Sequence, residues 1–305
     1  MPEYKAYQTG TPNTKDFRTY LSRDNELCSP WHDVPLFVDD KRQVVNAVIE
    51  VPRWSNVKME QDEICKDEFL TPLSQVMKDD KTPRYVPNIF PHRGYPWNYG
   101  TLPQTYEDPT LHDTHTNLPG HGNGVNMCEL SGELAHPGQV KRVKVLGAFA
   151  VIEAGRTDWK IVVVDVANPL ARELSDIGDV EPVMPGYLGT MTEWFRIWRT
   201  ADEGDNGVNF VAFNGEVRDR RFALMLLERC HASWKKLMTE PTMQAKLSMK
   251  DVPIGDLNLV DQIKQLKQGE GEKIDQRAVE RFHFLAANWP LAASCPGLMD
   301  ISNSQ

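Results

Sequence analysis

VKVLGAFAVI, residues 143–152, decides the architecture. Its one charge is Lys144, and the run is apolar enough to be buried on both faces of a sheet. KIVVVDV (160–166) is a second short run rich in β-branched residues, and VNAVIEV (45–51) alternates partially between apolar and polar. Shorter strand candidates lie at 195–198 and 209–213. Long connections rich in Pro, Gly and Asn separate them, above all residues 80–126. A few strands with long loops predict a small barrel rather than a parallel α/β sheet.

Helices come late in the chain. Asp219 can cap a helix over 220–239, where Phe222, Leu226, Cys230, Trp234 and Leu237 recur on one side. A shorter helix is predicted over 170–177, with Pro169 at its start. Residues 261–268 and 274–288 read as helical around the turn-rich GEGE at 269–272, and 290–305 reads as a loose tail. The division expected is a main domain over 1–239, including an N-terminal extension, and a helical extension over 240–305.

The 305 residues are 40% hydrophobic, enough for one large domain with a core and an appendage. The formal charge is -9, from 34 basic and 43 acidic residues. That balance repels nucleic acid, and no basic run offsets it. Cys28, Cys65, Cys128, Cys230 and Cys295 are scattered without CxxC spacing and read as free thiols in a reducing compartment. The polar N-terminus carries no apolar signal segment, and no run reaches the roughly 20 apolar residues a membrane span needs. A cytoplasmic protein with no membrane or nucleic-acid partner is expected.

SPWHDVPLF (29–37), VIEVPRWSNVKME (48–60) and PHRGYPWNYGTLPQTYEDP (91–109) give the chain a recognisable character. With GRTDWK (155–160), EWFRIW (193–198) and SWKKL (233–237), it resembles the family I inorganic pyrophosphatases in their longer eukaryotic form. The resemblance implies a mainly β fold with peripheral helices: a five-stranded, OB-fold-like barrel. It also implies a cytosolic homodimer and magnesium-dependent hydrolysis of diphosphate. Glu50, Lys58, Glu60, Arg84, Tyr95, Tyr99, Asp158 and Lys160 match the family's active-site positions in kind. The family's DxDPxxD segment falls on residues 121–126, where His121, Asn123 and Asn126 replace the three aspartates. Glu153 keeps the charge of a fourth carboxylate position, and Trp198-Arg199 takes the place of a Tyr-Lys pair.

Magnesium favours hard, anionic oxygen ligands, and amides and a histidine serve it less well. The first expectation is therefore metal-independent acid/base chemistry on an organic small molecule: a cyclisation, isomerisation, elimination or hydrolysis. His121 is its leading proton-transfer group, with Glu60, Glu153 or Asp158 as partner. Lys58, Arg84, Arg93, Lys160 and Arg199, with Asn123 and Asn126, bind the substrate. Tyr95, Trp97, Tyr99 and Trp198 shape its pocket. No cofactor is expected under this reading. One alternative is a non-catalytic homologue that binds a partner or a phosphate-bearing ligand. The other is a diphosphate hydrolase with altered metal preference, using Mg or Mn held by Glu60, Glu153 and Asp158.

Several of these residues also have plainer readings. His121 by itself is a solvent-facing loop histidine, and Trp198 fits the core as well as the pocket. Trp31, Trp54 and Trp159 read as packing residues. His92, His115 and His121 share no short histidine–carboxylate motif and make a poor zinc set.

Overall fold

The two apolar runs pair with each other at the centre of the molecule, in a computed structural model that describes residues 2–39, 43–61, 70–201, 207–241, 261 and 269–285. In chain order the strands are β1 (Tyr4–Thr9), β2 (Arg18–Arg23), β3 (Glu26–Cys28), β4 (Val44–Val51), β5 (Met59–Gln61), β6 (Leu73–Gln75), β7 (Asn88–Ile89), β8 (Asn98–Thr101), β9 (Asn126–Glu129), β10 (Val140–Glu153), β11 (Arg156–Asp165), β12 (Phe210–Val211) and β13 (Phe282–His283). The α-helices are α1 (Val180–Val183), α2 (Tyr187–Ile197), α3 (Arg220–Leu237) and α4 (Gln276–Glu280).

β10 and β11 join through the two-residue turn Ala154-Gly155, both at positive φ (48° and 73°). Such a turn matches the twist of the strands it joins. The pair belongs to a six-stranded sheet in the order β11-β9-β8-β4-β10-β12, with β10 and β11 also paired. The β11–β9 step is parallel. A second sheet runs β1-β2-β6-β5, with β3 on β2, and β13 pairs with β7.

The register of β10 against β11 shifts between Val145 and Gly147. A Cβ on Gly147 would lie 2.4 Å from the Arg218 carbonyl oxygen, so only glycine lets that backbone approach. The shift changes which residues face which core. Val143 and Val145 join one apolar cluster with Ala148, Ala150, Trp159 and α3 residues Ala223 and Leu227. Leu146, Phe149 and Val151 join the other, with Tyr95, Tyr99, Trp97 and α2 residues Met191, Trp194 and Phe195. An extra residue in one strand has this effect on a pleat of period two.

α3 begins where the sequence places it, with Asp219 accepting from the Phe222 amide at 2.8 Å. Ala223, Leu226, Leu227 and Cys230 face the sheet. No helix among the described residues is long and apolar enough to cross a membrane. Cys28, Cys128 and Cys230 are buried thiols.

The mainly β, five-stranded OB-like barrel expected above is corrected. The fold is mixed α/β, built on a multi-stranded sheet with a second sheet beside it and helices packed into both cores. Strongly apolar runs alone stand out as strands by composition. β1, β2 and β3, whose residues are largely polar, and the short β5 to β8 do not stand out in that way. The strand expected at 195–198 is the end of α2, whose buried Met191, Trp194 and Phe195 follow helical spacing. Residues 170–177 hold 3-10 turns at Pro169–Arg172 and Ile177–Asp179 rather than one helix. Of the helix read over 274–288, Gln276–Glu280 is helical and Phe282–His283 is strand. The helix read over 261–268 and the tail over 290–305 lie outside the described residues, apart from Asp261.

Candidate active site

One strand supplies the centre of the site. Asp158 and Lys160 are two apart on β11, so both side chains leave the same face. The Lys160 ammonium donates to both Asp158 oxygens, at 2.6 and 2.5 Å, to Asn126 Oδ1 at 2.8 Å and to the Tyr99 hydroxyl at 3.0 Å. Lys160 is 2% exposed and Asp158 7%. A buried ammonium needs this many acceptors to offset its lost hydration.

Two further strands and a loop help complete a cavity of about 130 Å³. β5 and the turn before it bring Glu60 and Lys58, which pair at 2.6 Å. The end of β10 brings Glu153, which is ion-paired with Arg199. The 120–126 loop brings His121, Asn123 and Asn126, which reaches Lys160. Three carboxylates of the pocket thus each have their own cation: Glu60 with Lys58, Glu153 with Arg199, Asp158 with Lys160.

The fourth carboxyl, Glu50, is different. It is 2% exposed and accepts from the Thr101 hydroxyl at 2.6 Å. Burial pushes its pKa up to about 8, with Glu60 adding to the rise. Glu60 moves the other way. Desolvation opposes its ionisation, but the charge and hydrogen bond of Lys58, then Arg84 and His121, outweigh it and hold the carboxyl below its ordinary range. Burial raises Tyr95 and Tyr99 well above the usual phenol range, so both remain hydrogen-bonding phenols.

The wall opposite β11 is aromatic. Trp198 stacks on Trp194 at 5.8 Å with planes 7° apart. Lys58, Arg84 and Arg199 lie 5.5, 5.7 and 5.8 Å from the centre of the Trp198 ring. The indole therefore holds three cations close together without adding a negative group. At the loop, Asn123 Nδ2 lies 3.1 Å from His121 Nδ1. With the amide as donor, the ring proton sits on Nε2 and the imidazole offers a donor to a ligand.

The structure brings together nearly all the residues picked from sequence: Lys58, Glu60, Tyr95, Tyr99, His121, Asn123, Asn126, Glu153, Asp158, Lys160 and Trp198 line the cavity. Arg84 and Arg199 are not among the lining residues but adjoin two of them, Trp198 and Glu153. Two do not join them. Arg93 points to Glu280 of α4, at 3.4 Å. Trp97 is 1% exposed and stacks on Phe195 in the core. Missed from sequence were Thr101, Gln61, Phe195 and Trp31, all of which line the cavity. Thr101 lies two residues beyond Tyr99 on β8, a strand-periodicity signal, whereas Gln61 directly follows Glu60 and periodicity gives no signal for it. His92 and His115 are not among the lining residues.

The oxygen donors present suit magnesium or manganese in kind: the carboxylates of Glu60, Glu153 and Asp158 and the amide oxygens of Asn123 and Asn126. Among the described residues no three His, Cys, Asp or Glu side chains already converge as a metal cluster. The carboxylates are turned to their ammonium and guanidinium partners instead.

Comparison with known proteins gives a consistent result. The family model described as "Inorganic pyrophosphatase" matches residues 47–235, a span that contains the 120–126 loop and every lining residue but Trp31. An inorganic pyrophosphatase of Emericella nidulans is 38% identical over 277 residues, covering 91% of this chain and 94% of its own. One from Eremothecium gossypii is 43% identical over 235 residues, covering 77% and 80%. The solved inorganic pyrophosphatase of Schistosoma japonicum superposes with a TM-score of 0.80 at 36% identity, covering 92% of this chain and all of that one. A truncated vacuolar soluble pyrophosphatase of Trypanosoma cruzi, solved in complex with PPi, gives 0.71 at 30% identity, covering 79% and 93%.

These matches overturn four expectations drawn from the loop: organic-substrate acid/base chemistry, an atypical enzyme, a divergent biosynthetic site, and independence of a metal cofactor. Three residues of one loop weigh less than the whole matched span. A site is the sum of its charges, and most of them are present here.

Proposed function

The chain belongs to the inorganic pyrophosphatase family, in its longer eukaryotic form, and we propose that it hydrolyses inorganic diphosphate to two phosphates with magnesium or manganese. The observation that carries this reading is the row of three carboxylate–cation pairs in one cavity. A diphosphate anion offers its oxygens to Lys58, Lys160 and Arg199, and the released carboxylates are then available to a divalent cation. Glu60, Glu153 and Asp158 would hold it, with Asn126 as a neutral oxygen donor. A bound divalent cation supplies charge neutralisation and a more acidic attacking water.

The chain's own side chains do the positioning. Lys160, fixed by Tyr99 and Asn126, holds one phosphoryl group against β11. Lys58, Arg84 and Arg199, grouped around Trp198, hold the other and stabilise charge as the bridging bond breaks. His121 Nε2 donates to a terminal oxygen at the rim. Phosphate release from diphosphate with magnesium or manganese, abolished by chelation and restored by either ion, is the test. No release with either metal would end the proposal.

The cytoplasmic placement and the homodimer also stand as proposals. The homodimer rests on the exposed Phe90, Phe282 and Phe284, whose rings meet at 5.5 and 6.4 Å around Phe90. Light scattering on the full chain, with Phe90→Ser as the disrupting variant, tests it. The split at 239/240 is proposed as well, although residues 269–272 bond back to Gly10 and Pro12.

A further inference from the structure

Trp31 lines the active-site cavity but lies outside the span that the family model matches. It belongs to the turn after β3 and is 3% exposed. Its surroundings hold it firmly. The Ser29 hydroxyl accepts from the Trp31 amide at 3.2 Å, and the Trp31 carbonyl accepts from the Gln104 amide at 2.8 Å. Its ring stacks on His32 at 5.5 Å with planes 5° apart. His32 Nδ1 in turn accepts from the Trp234 ring nitrogen of α3 at 3.1 Å. Tyr106, Trp234 and Leu237 pack against the indole.

A ring fixed in this way can fix what it touches, and the indole bears on the 120–126 loop by two routes. The first is contact. A Cβ on Gly124 would lie 3.3 Å from both Cε2 and Nε1 of Trp31 and 2.7 Å from the Thr101 methyl carbon. The bare Gly124 backbone is therefore wedged between the indole and Thr101. The second route is hydrogen bonding. The indole Nε1 donates to the Thr105 carbonyl at 2.9 Å. The Thr105 hydroxyl accepts from the Val125 amide at 2.8 Å and donates to the Leu102 carbonyl at 2.7 Å. The Leu102 amide closes the circuit on the Val125 carbonyl at 2.8 Å. Thr105 and Val125 are fully buried, so breaking this circuit leaves polar backbone groups without water.

The next residue along the chain belongs to the active site. Asn126 Oδ1 accepts from the Lys160 ammonium at 2.8 Å, and its Nδ2 donates to the Thr101 hydroxyl at 3.3 Å. A displacement of Gly124 and Val125 thus reaches, through one peptide unit, an acceptor of the ammonium at the centre of the site. Asn123, on the other side of Gly124, carries the contact to His121.

We propose that Trp31 is a positioning residue of the active site: with Thr105 it clamps residues 124–125, and through Asn126 it sets where the Lys160 ammonium lies. It acts by holding the loop, not by contact with the reacting atoms. The clamp is independent of diphosphate hydrolysis, and only its effect on phosphate binding rests on that reading.

Hydrogen exchange of the full chain, read by mass spectrometry, tests the clamp directly. Trp31→Phe removes the Nε1 donor and the ring edge nearest Gly124, and Thr105→Val removes the acceptor of the Val125 amide. Both are expected to speed exchange at residues 122–126 about tenfold and to leave the β10–β11 hairpin unchanged. Thr105→Ser keeps the hydroxyl and is expected to exchange as the parent does. Calorimetric titration with inorganic phosphate, manganese present, then reads the site without turnover. Trp31→Phe and Thr105→Val are each expected to weaken phosphate binding about fivefold, and Trp31→Phe to add nothing further in an Asn126→Ala background. In diphosphate kinetics the expected change is a matching rise in KM with kcat held within about twofold. Unchanged exchange at 122–126 in both variants, or acceleration spread evenly over the fold, overturns the clamp. Faster exchange with unaltered phosphate affinity, or a loss additive with that of Asn126→Ala, overturns the route through Asn126. The exchange result stands whether or not diphosphate is hydrolysed, so failure of the clamp is distinct from failure of the hydrolytic reading.

Discussion

Lys160 holds both carboxylate oxygens of Asp158, at 2.6 and 2.5 Å, from two positions along the same strand. The ammonium expected to meet a phosphoryl oxygen is therefore also the counter-ion of a carboxylate expected to meet a metal. Losing it does two things. Lys160→Ala is expected to lower kcat/KM for diphosphate by about 10²–10³-fold, as loss of a preorganised donor does. It also leaves Asp158 buried without its partner, at a cost of about 3 kcal/mol in stability. Thermal melts and phosphate-release kinetics on one preparation check both; full activity in a normally stable variant would remove Lys160 from the site.

His121 acts as a donor to bound phosphate in this arrangement, since Asn123 occupies its Nδ1. His121→Ala is expected to raise KM for diphosphate about tenfold with kcat changed far less, matching the loss of one hydrogen bond to a charged group. A collapse of kcat at unchanged KM would instead make the imidazole a proton carrier.

Glu50 sets a pH dependence. Its carboxyl rises from 4.5 to about 8 on folding, chiefly by burial. Between those values the native state holds a proton that the unfolded chain has lost. The group's contribution to stability is complete below about 4.5 and fades as pH climbs towards about 8. Glu50→Gln keeps an acceptor for Thr101 and cannot ionise. Melting temperatures taken from pH 5 to about 8 are expected to fall less steeply in that variant than in the parent. Parallel curves would show that Glu50 ionises freely in the fold.

Asp219 caps α3 through the Phe222 amide at 2.8 Å. Asp219→Ala is expected to cost about 1 kcal/mol in denaturant midpoint analysis and to leave hydrolysis intact. A loss above about 3 kcal/mol would mean that Asp219 does more than satisfy one amide.

Where the sequence was legible, the reason was local. The α3 cap and its buried stripe can be read from Asp219 onward, and Val143, Val145 and Val163 betray a buried hairpin by composition. Two pairings within the candidate site were legible too, because motif blocks carry their own spacing: Lys58 with Glu60, Asp158 with Lys160. Three things were not. Polar strands such as Arg18–Arg23 gain their place only by pairing with other strands, which no window of sequence contains. Aromatic residues at 194–198 look like a strand until helical spacing is counted from Met191. Arg93 resembled a phosphate ligand by its neighbours in sequence, yet the fold gives it Glu280, 187 residues away.

The kink at Gly147 makes chain length a hidden parameter of the active site. Upstream of it, odd-numbered residues such as Val143 and Val145 face α3; downstream, odd-numbered Val151 and Glu153 face the pocket. Trading one aliphatic residue for another along β10 leaves that parity alone. Losing the extra residue at the kink would restore an unbroken pleat and leave each side chain on its present face, whereas losing one residue between the kink and Glu153 would exchange inside for outside beyond that point and swing Glu153 away from Arg199. Beyond the kink this strand can drift in composition but not by an odd count.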